Sequence, residues 1–83
     1  MKITVTQENI DKGNQGSYDF CPIALALRDK GYILPFVCGS ISAQDQKHYR
    51  HTWSHSRRSL KFMSDFDKNR GVKPSTFILK EDK

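Results

Sequence analysis

The strongest constraint on this chain is the block Cys21-Pro22-Ile23-Ala24-Leu25-Ala26-Leu27. Proline suits the first turn of a helix, where its missing N–H would have had no partner. The five apolar residues behind it leave no polar side, so the rest of the chain has to wrap the helix they form. Lys30-Gly31 closes that helix, and Arg28, Asp29 and Lys30 reach solvent at its end. The chain has 83 residues, 36% of them hydrophobic. The remaining elements are then that helix's partners in one small domain over residues 1–83 with a thin core.

Ile3 and Val5 alternate with Lys2, Thr4 and Thr6, the period of a half-buried strand. Thr6 caps a short helix anchored by Ile10, with Glu8 near its N-terminal dipole and Gly13 as a left-handed stop. Residues 14–18 form a polar turn. Residues 32–38 favour a strand, but Pro35 cannot donate to a ladder, which points to an edge strand or a bulge. Residues 39–47 read as a polar connection with Ile41 its only large aliphatic side chain.

Residues 48–54 are a strand by their Tyr, Thr and Trp content, with Tyr49, His51 and Trp53 on one face. A helix capped by Ser42, with Asp45 three residues later, is the rival. Residues 56–70 form an amphipathic helix with Leu60, Phe62, Met63 and Phe66 in one arc. Asp67 is the misfit among them, and near a helix C-terminus it needs a partner such as an Arg or free backbone amides. Gly71 ends the helix, residues 75–80 are the last strand, and residues 81–83 should fray. The order β-α-α-β-β-α-β defines a small single-domain α+β fold, a three- to four-stranded, mostly antiparallel sheet packed against helices.

The net charge of +5 is unevenly placed. Residues 1–45 sum to −1 and residues 62–83 to +1, whereas Lys47, Arg50, Arg57, Arg58 and Lys61 stand in an acid-free stretch, residues 46–61. The same stretch holds Tyr49, the only Trp (Trp53) and all three histidines. Cations that pair with phosphates, interleaved with rings that stack on bases, point to nucleic acid or another polyanion. The bland alternative is a solvated charged face with the two aromatics in the core. No helix-turn-helix, zinc-finger or RNP signature is present, so sequence-specific readout is not expected.

His48, His51 and His55 would share one face of a helix as a three-ligand zinc site. On the preferred strand His48 points away from the other two, and five cations disfavour a dication. Neither metal nor cofactor is therefore expected. Cys21, at or beside a helix N-cap, should have a thiol pKa lowered by the dipole. A catalytic Cys/His pair is conceivable, but a buried packing cysteine is commoner. Two cysteines are too few for a disulfide scaffold, and both are expected as thiols rather than as a Cys21–Cys38 bridge. The N-terminus lacks the apolar core of a secretory signal and no apolar run approaches a membrane span, so the expected location is cytoplasmic.

Val5-Thr6, Ile10, Gly13, the Cys-Pro-Ile-Ala-Leu-Ala block, Phe66-Asp67 and residues 74–77 together resemble a group of short, functionally uncharacterised bacteriophage and prophage proteins. Some of that group carry a second Cys where this chain has Tyr18, so a shared metal or redox role is not implied. The resemblance implies a small accessory protein of a mobile element in a bacterial host. The expected function is non-enzymatic binding of nucleic acid through Lys47, Arg50, Arg57, Arg58 and Lys61 with Tyr49 and Trp53. The alternative is protein–protein inhibition of a host enzyme or a defence complex such as CRISPR. A metal- or thiol-dependent enzyme is the third reading.

Overall fold

A computed structural model describes residues 1–82. The elements are β1 (Lys2–Val5), α1 (Gln7–Lys12), α2 (Pro22–Asp29), β2 (Ile33–Val37), β3 (Ile41–Gln44), β4 (Arg50–Ser54), α3 (Arg57–Asp67), β5 (Ser75–Ile78) and β6 (Lys80–Glu81). The fold is α+β with antiparallel pairing throughout, but the strands form two sheets rather than one. β1 pairs with β5, while β2, β3, β4 and β6 make a four-stranded sheet in that order.

α2 is the centre, as its apolar run requires. Ile23, Ala24, Ala26 and Leu27 are buried and only Leu25 is partly exposed. Around them lie Ile3, Val5, Val37, Ile41, Trp53, Phe62, Phe77 and Leu79. Cys21 is the N-cap, its Sγ accepting from the Ala24 amide at 3.5 Å. Burial pushes the thiol up, so desolvation outweighs the helix dipole and the expected lowering is corrected. Cys38 is exposed, and both cysteines are free thiols.

α1 has the expected Thr6 cap. It is a reciprocal capping box in which Asn9 Oδ1 also accepts from the Thr6 amide at 2.9 Å. Ile10 packs partly buried against the core as the apolar anchor, and the fully buried residue of this helix is Asn9. Its Nδ2 donates to Asp29 Oδ2 at 2.8 Å, which ties α1 to the end of α2 and satisfies an amide that would be costly to bury alone. Gly13 is not a left-handed stop, since its φ is −70°. Its role is spatial: a Cβ there would stand 2.8 Å from Asn9 O and from the Pro22 ring. Gly13→Ala should therefore cost about 1–3 kcal/mol through overpacking. Urea unfolding checks this, and an unchanged midpoint would mean that the α1–α2 junction yields freely.

β2 is both an edge strand and irregular, with its register shifting between Ile33 and Phe36 around Pro35. The polar connection expected over residues 39–47 instead contains β3, which lies inside the sheet with Ile41 and Ala43 buried. A tight turn follows, in which Asp45 Oδ1 accepts from the Lys47 and Tyr49 amides. That turn replaces the rival helix and delivers the chain into β4.

α3 ends earlier than expected. Asn69, at φ 59°, is the left-handed residue that follows it, two positions before Gly71. The buried stripe of α3 is Ser59, Phe62 and Phe66, with Met63 packed partly buried against the core; of the expected arc only Leu60 falls outside, 49% exposed. Ser59 can be buried because its hydroxyl is satisfied by His55 Nδ1 and Ser56 O. Asp67 accepts from the backbone amide of Gly16 at 3.1 Å, and Gln15 Nε2 reaches Phe66 O, so the end of α3 holds the loop before α2.

The last strand divides at Leu79, which is buried between the two sheets. β5 completes the β1 pair and β6 continues onto β4. Glu81 and Asp82 do not fray. Glu81 bonds His51, and Asp82 accepts from Ser54 Oγ while donating its amide to Thr52 O. Lys83 lies outside the described residues.

Candidate functional site

The acid-free stretch passes through the turn before β4, β4 itself and the first two turns of α3. The alternation of β4 places Arg50 and Trp53 on opposite faces. Trp53 is 1% exposed and faces inward, with Tyr32 edge-on at 5.2 Å and His51 stacked at 5.8 Å. It is therefore a core residue and is removed from the contact surface. Its Nε1 has no hydrogen-bond partner among the described residues. Tyr49 lies ahead of the strand, 67% exposed, and remains available.

Arg50 extends across the outer face, donating to Leu34 O at 3.2 Å and to Ser42 Oγ at 2.9 Å. These acceptors fix the guanidinium without neutralising it. Arg58 lies with its Cζ 5.8 Å from the Phe77 ring centroid, above the two-stranded sheet. Arg58 and Lys61 line a cleft of about 240 Å³ whose other cation is Lys73, from the connection after α3. Lys61 pairs with Asp65 at 2.8 Å, and Arg70 reaches the same carboxyl, so these two cations hold it below the usual range. Lys47 and Arg57 are exposed. Among the described residues, Lys47, Arg50, Arg57 and Arg58 have no carboxylate partner. The cations that are neighbours in sequence are thus divided between the outer sheet face and the α3–β5 cleft. Lys73 was invisible to a local reading because only tertiary packing brings it there.

The histidines separate. His48 occupies the turn with φ 68°. His51 bonds Glu81 through Nδ1 at 2.9 Å and Asp45 through Nε2 at 2.8 Å. With a carboxylate at each ring nitrogen, both nitrogens donate, and the ring is held as imidazolium. Glu81 first and Asp45 second raise its pKa above 6.5, while the His51 hydrogen bond lowers that of Asp45. His55 is the opposite case, with burial lowering its pKa. As a neutral ring it donates from Nε2 to Cys38 O, and its Nδ1 lies 2.8 Å from Ser59 Oγ, whose one proton is shared between Nδ1 and Ser56 O. Ser59 is fully buried, so this Ser/His contact is structural. Among the described residues no group of three or more His, Cys, Asp or Glu is placed to hold a metal ion.

A pH dependence follows from these directions. For His51 the folded pKa is raised, so its stabilisation is complete below 6.5 and is lost as pH rises through the higher folded value. For His55 the folded pKa is lowered, so stability is lost as pH falls below 6.5. The urea midpoint should decline as pH rises above 6.5 and through the raised folded value of His51. His51→Gln should flatten that decline and keep the acid limb; a decline that survives the substitution would assign it to another group.

Compared with known proteins, the chain matches no family model, no curated protein and no solved structure.

Proposed function

We propose that this is a non-enzymatic accessory protein that binds nucleic acid electrostatically, acting in the cytoplasm of a bacterial host as a phage-type protein. The observation that carries the reading is that, of the five cations in the acid-free stretch, Lys47, Arg50, Arg57 and Arg58 have no carboxylate partner among the described residues. An ion pair would have to be broken before such groups could meet phosphates, and here only Lys61 carries that cost. Tyr49 is the exposed ring beside them, and Lys73 extends the cationic cleft of Arg58 and Lys61. Affinity would come chiefly from counterion release and fall steeply with salt. No helix is long and apolar enough to cross a membrane.

Titration of labelled single- and double-stranded oligonucleotides at two salt concentrations tests the reading. Binding at low salt that weakens sharply at high salt is expected, and no binding at low salt overturns it.

One observation favours the alternative of a protein inhibitor of a host enzyme or defence complex. Leu60 is half exposed on α3 between Arg57 and Lys61, a mixed apolar and cationic surface of the kind protein partners bury. Pull-down from host lysate separates the two: capture lost on nuclease treatment favours nucleic acid, and capture that persists favours the inhibitor.

A further inference from the structure

The outer face of the four-stranded sheet carries more than Arg50. Strand alternation and register place Phe36 directly across from Ser42, and Ser42 across from Thr52, all on the face opposite Ile41, Ala43 and Trp53. Phe36 is 41% exposed. The Tyr18 ring, 53% exposed, lies against it with centroids 4.6 Å apart and planes 32° from parallel. The pair is held from the backbone, because the Val37 amide donates to Tyr18 O at 2.7 Å across the edge of β2. The Arg50 guanidinium is fixed beside it through Ser42 Oγ, the cross-strand neighbour of Phe36. Lys80, paired with Ser54, adds an exposed cation on the same face.

Apolar rings at an edge strand normally attract another strand or a core, and proteins blunt such edges. Here the rings stand in the open beside a cation that has acceptors but no counter-charge. Flat faces that accept any base, adjoining fixed positive groups spaced along a sheet, are what an unpaired polynucleotide requires. Duplex DNA keeps its base faces stacked internally and has no use for them.

We infer that the Tyr18–Phe36 pair and Arg50 form a stacking platform that makes single-stranded nucleic acid the preferred ligand. This rests on the nucleic-acid-binding reading above and narrows its ligand class. The bases stack on the exposed ring faces, and Arg50 and Lys80 meet the backbone phosphates.

The test compares the full chain with a Tyr18→Leu/Phe36→Leu variant, which keeps apolar bulk and removes both π faces. The probes are a labelled oligodeoxythymidine and a duplex of equal length at low salt. The wild type should prefer the single strand, and the variant should lose roughly tenfold or more of that affinity while its duplex binding is unchanged. Single-strand affinity unchanged in the variant, or a wild-type preference for duplex, overturns this inference and leaves the electrostatic reading standing. Binding of neither probe by the wild type overturns both. If the variant does not fold, ring-proton shifts of Tyr18 and Phe36 in the wild type decide instead. Upfield movement on adding the oligodeoxythymidine supports the platform, and unmoved rings at saturation overturn it.

Discussion

Replacing Lys47, Arg57 and Arg58 together by glutamine should weaken nucleic-acid binding by roughly two orders of magnitude at low salt, with fold and stability retained. Each phosphate neutralised contributes about 0.9 to the slope of log affinity against log salt for duplex and about 0.7 for single strands. Losing three contacts should therefore flatten the slope by about two or more. These residues are exposed, so their removal should move stability by no more than about 0.5 kcal/mol. Single substitutions should each take about a third of the slope change. A triple variant whose salt slope matches the wild type would show that these cations do not meet phosphate.

Trp53→Ala should have the largest effect on stability, about 3–5 kcal/mol. The ring is enclosed and supports Tyr32 edge-on and the His51 imidazolium by stacking. A domain of this size has only about 5–15 kcal/mol of stability in total, so the variant should be close to unfolding at ambient temperature. Trp53→Phe should cost much less, because Nε1 makes no hydrogen bond among the described residues and phenylalanine keeps most of the apolar contact. As the only Trp, the residue also reports on its own surroundings. Its emission should lie at the short wavelengths of a buried indole and stay unquenched when oligonucleotide is added. Strong quenching on binding would return it to the contact surface.

What the sequence revealed divides along physical lines. α2 was legible because five apolar residues behind a proline admit few other readings. β2 was legible through Pro35, whose missing donor excludes a central position. β3 was missed because Ile41-Ser42-Ala43-Gln44 has a single large side chain, and its alternation becomes meaningful only once two neighbouring strands lie beside it. The division of the last strand at Leu79 depends wholly on which sheet each half pairs with, a tertiary choice that propensity does not encode. Of the arc expected for α3 only Leu60 lies outside, because Ser59 finds hydroxyl partners that allow its own burial beside Phe62.

The candidate site was half legible for a related reason. A concentration of charge in sequence signals exposure, but a strand sends alternate residues to opposite faces, so the aromatic and basic residues of β4 part company. Arg50 went outward and Trp53 inward. The exposed rings that stand near Arg50, Tyr18 and Phe36, come from segments with no excess of charge and carried no local signal.

The unpaired cations of residues 47–58 are the proposed contacts with nucleic acid. An NMR titration of the labelled protein with a single-stranded oligonucleotide measures this directly, residue by residue, at low salt. Perturbed amides are expected at Lys47, Tyr49, Arg50, Arg57 and Arg58, with α1 and the buried face of α2 unmoved. Perturbations confined to α1 and the β1 edge, or none at a saturating concentration, would contradict that expectation.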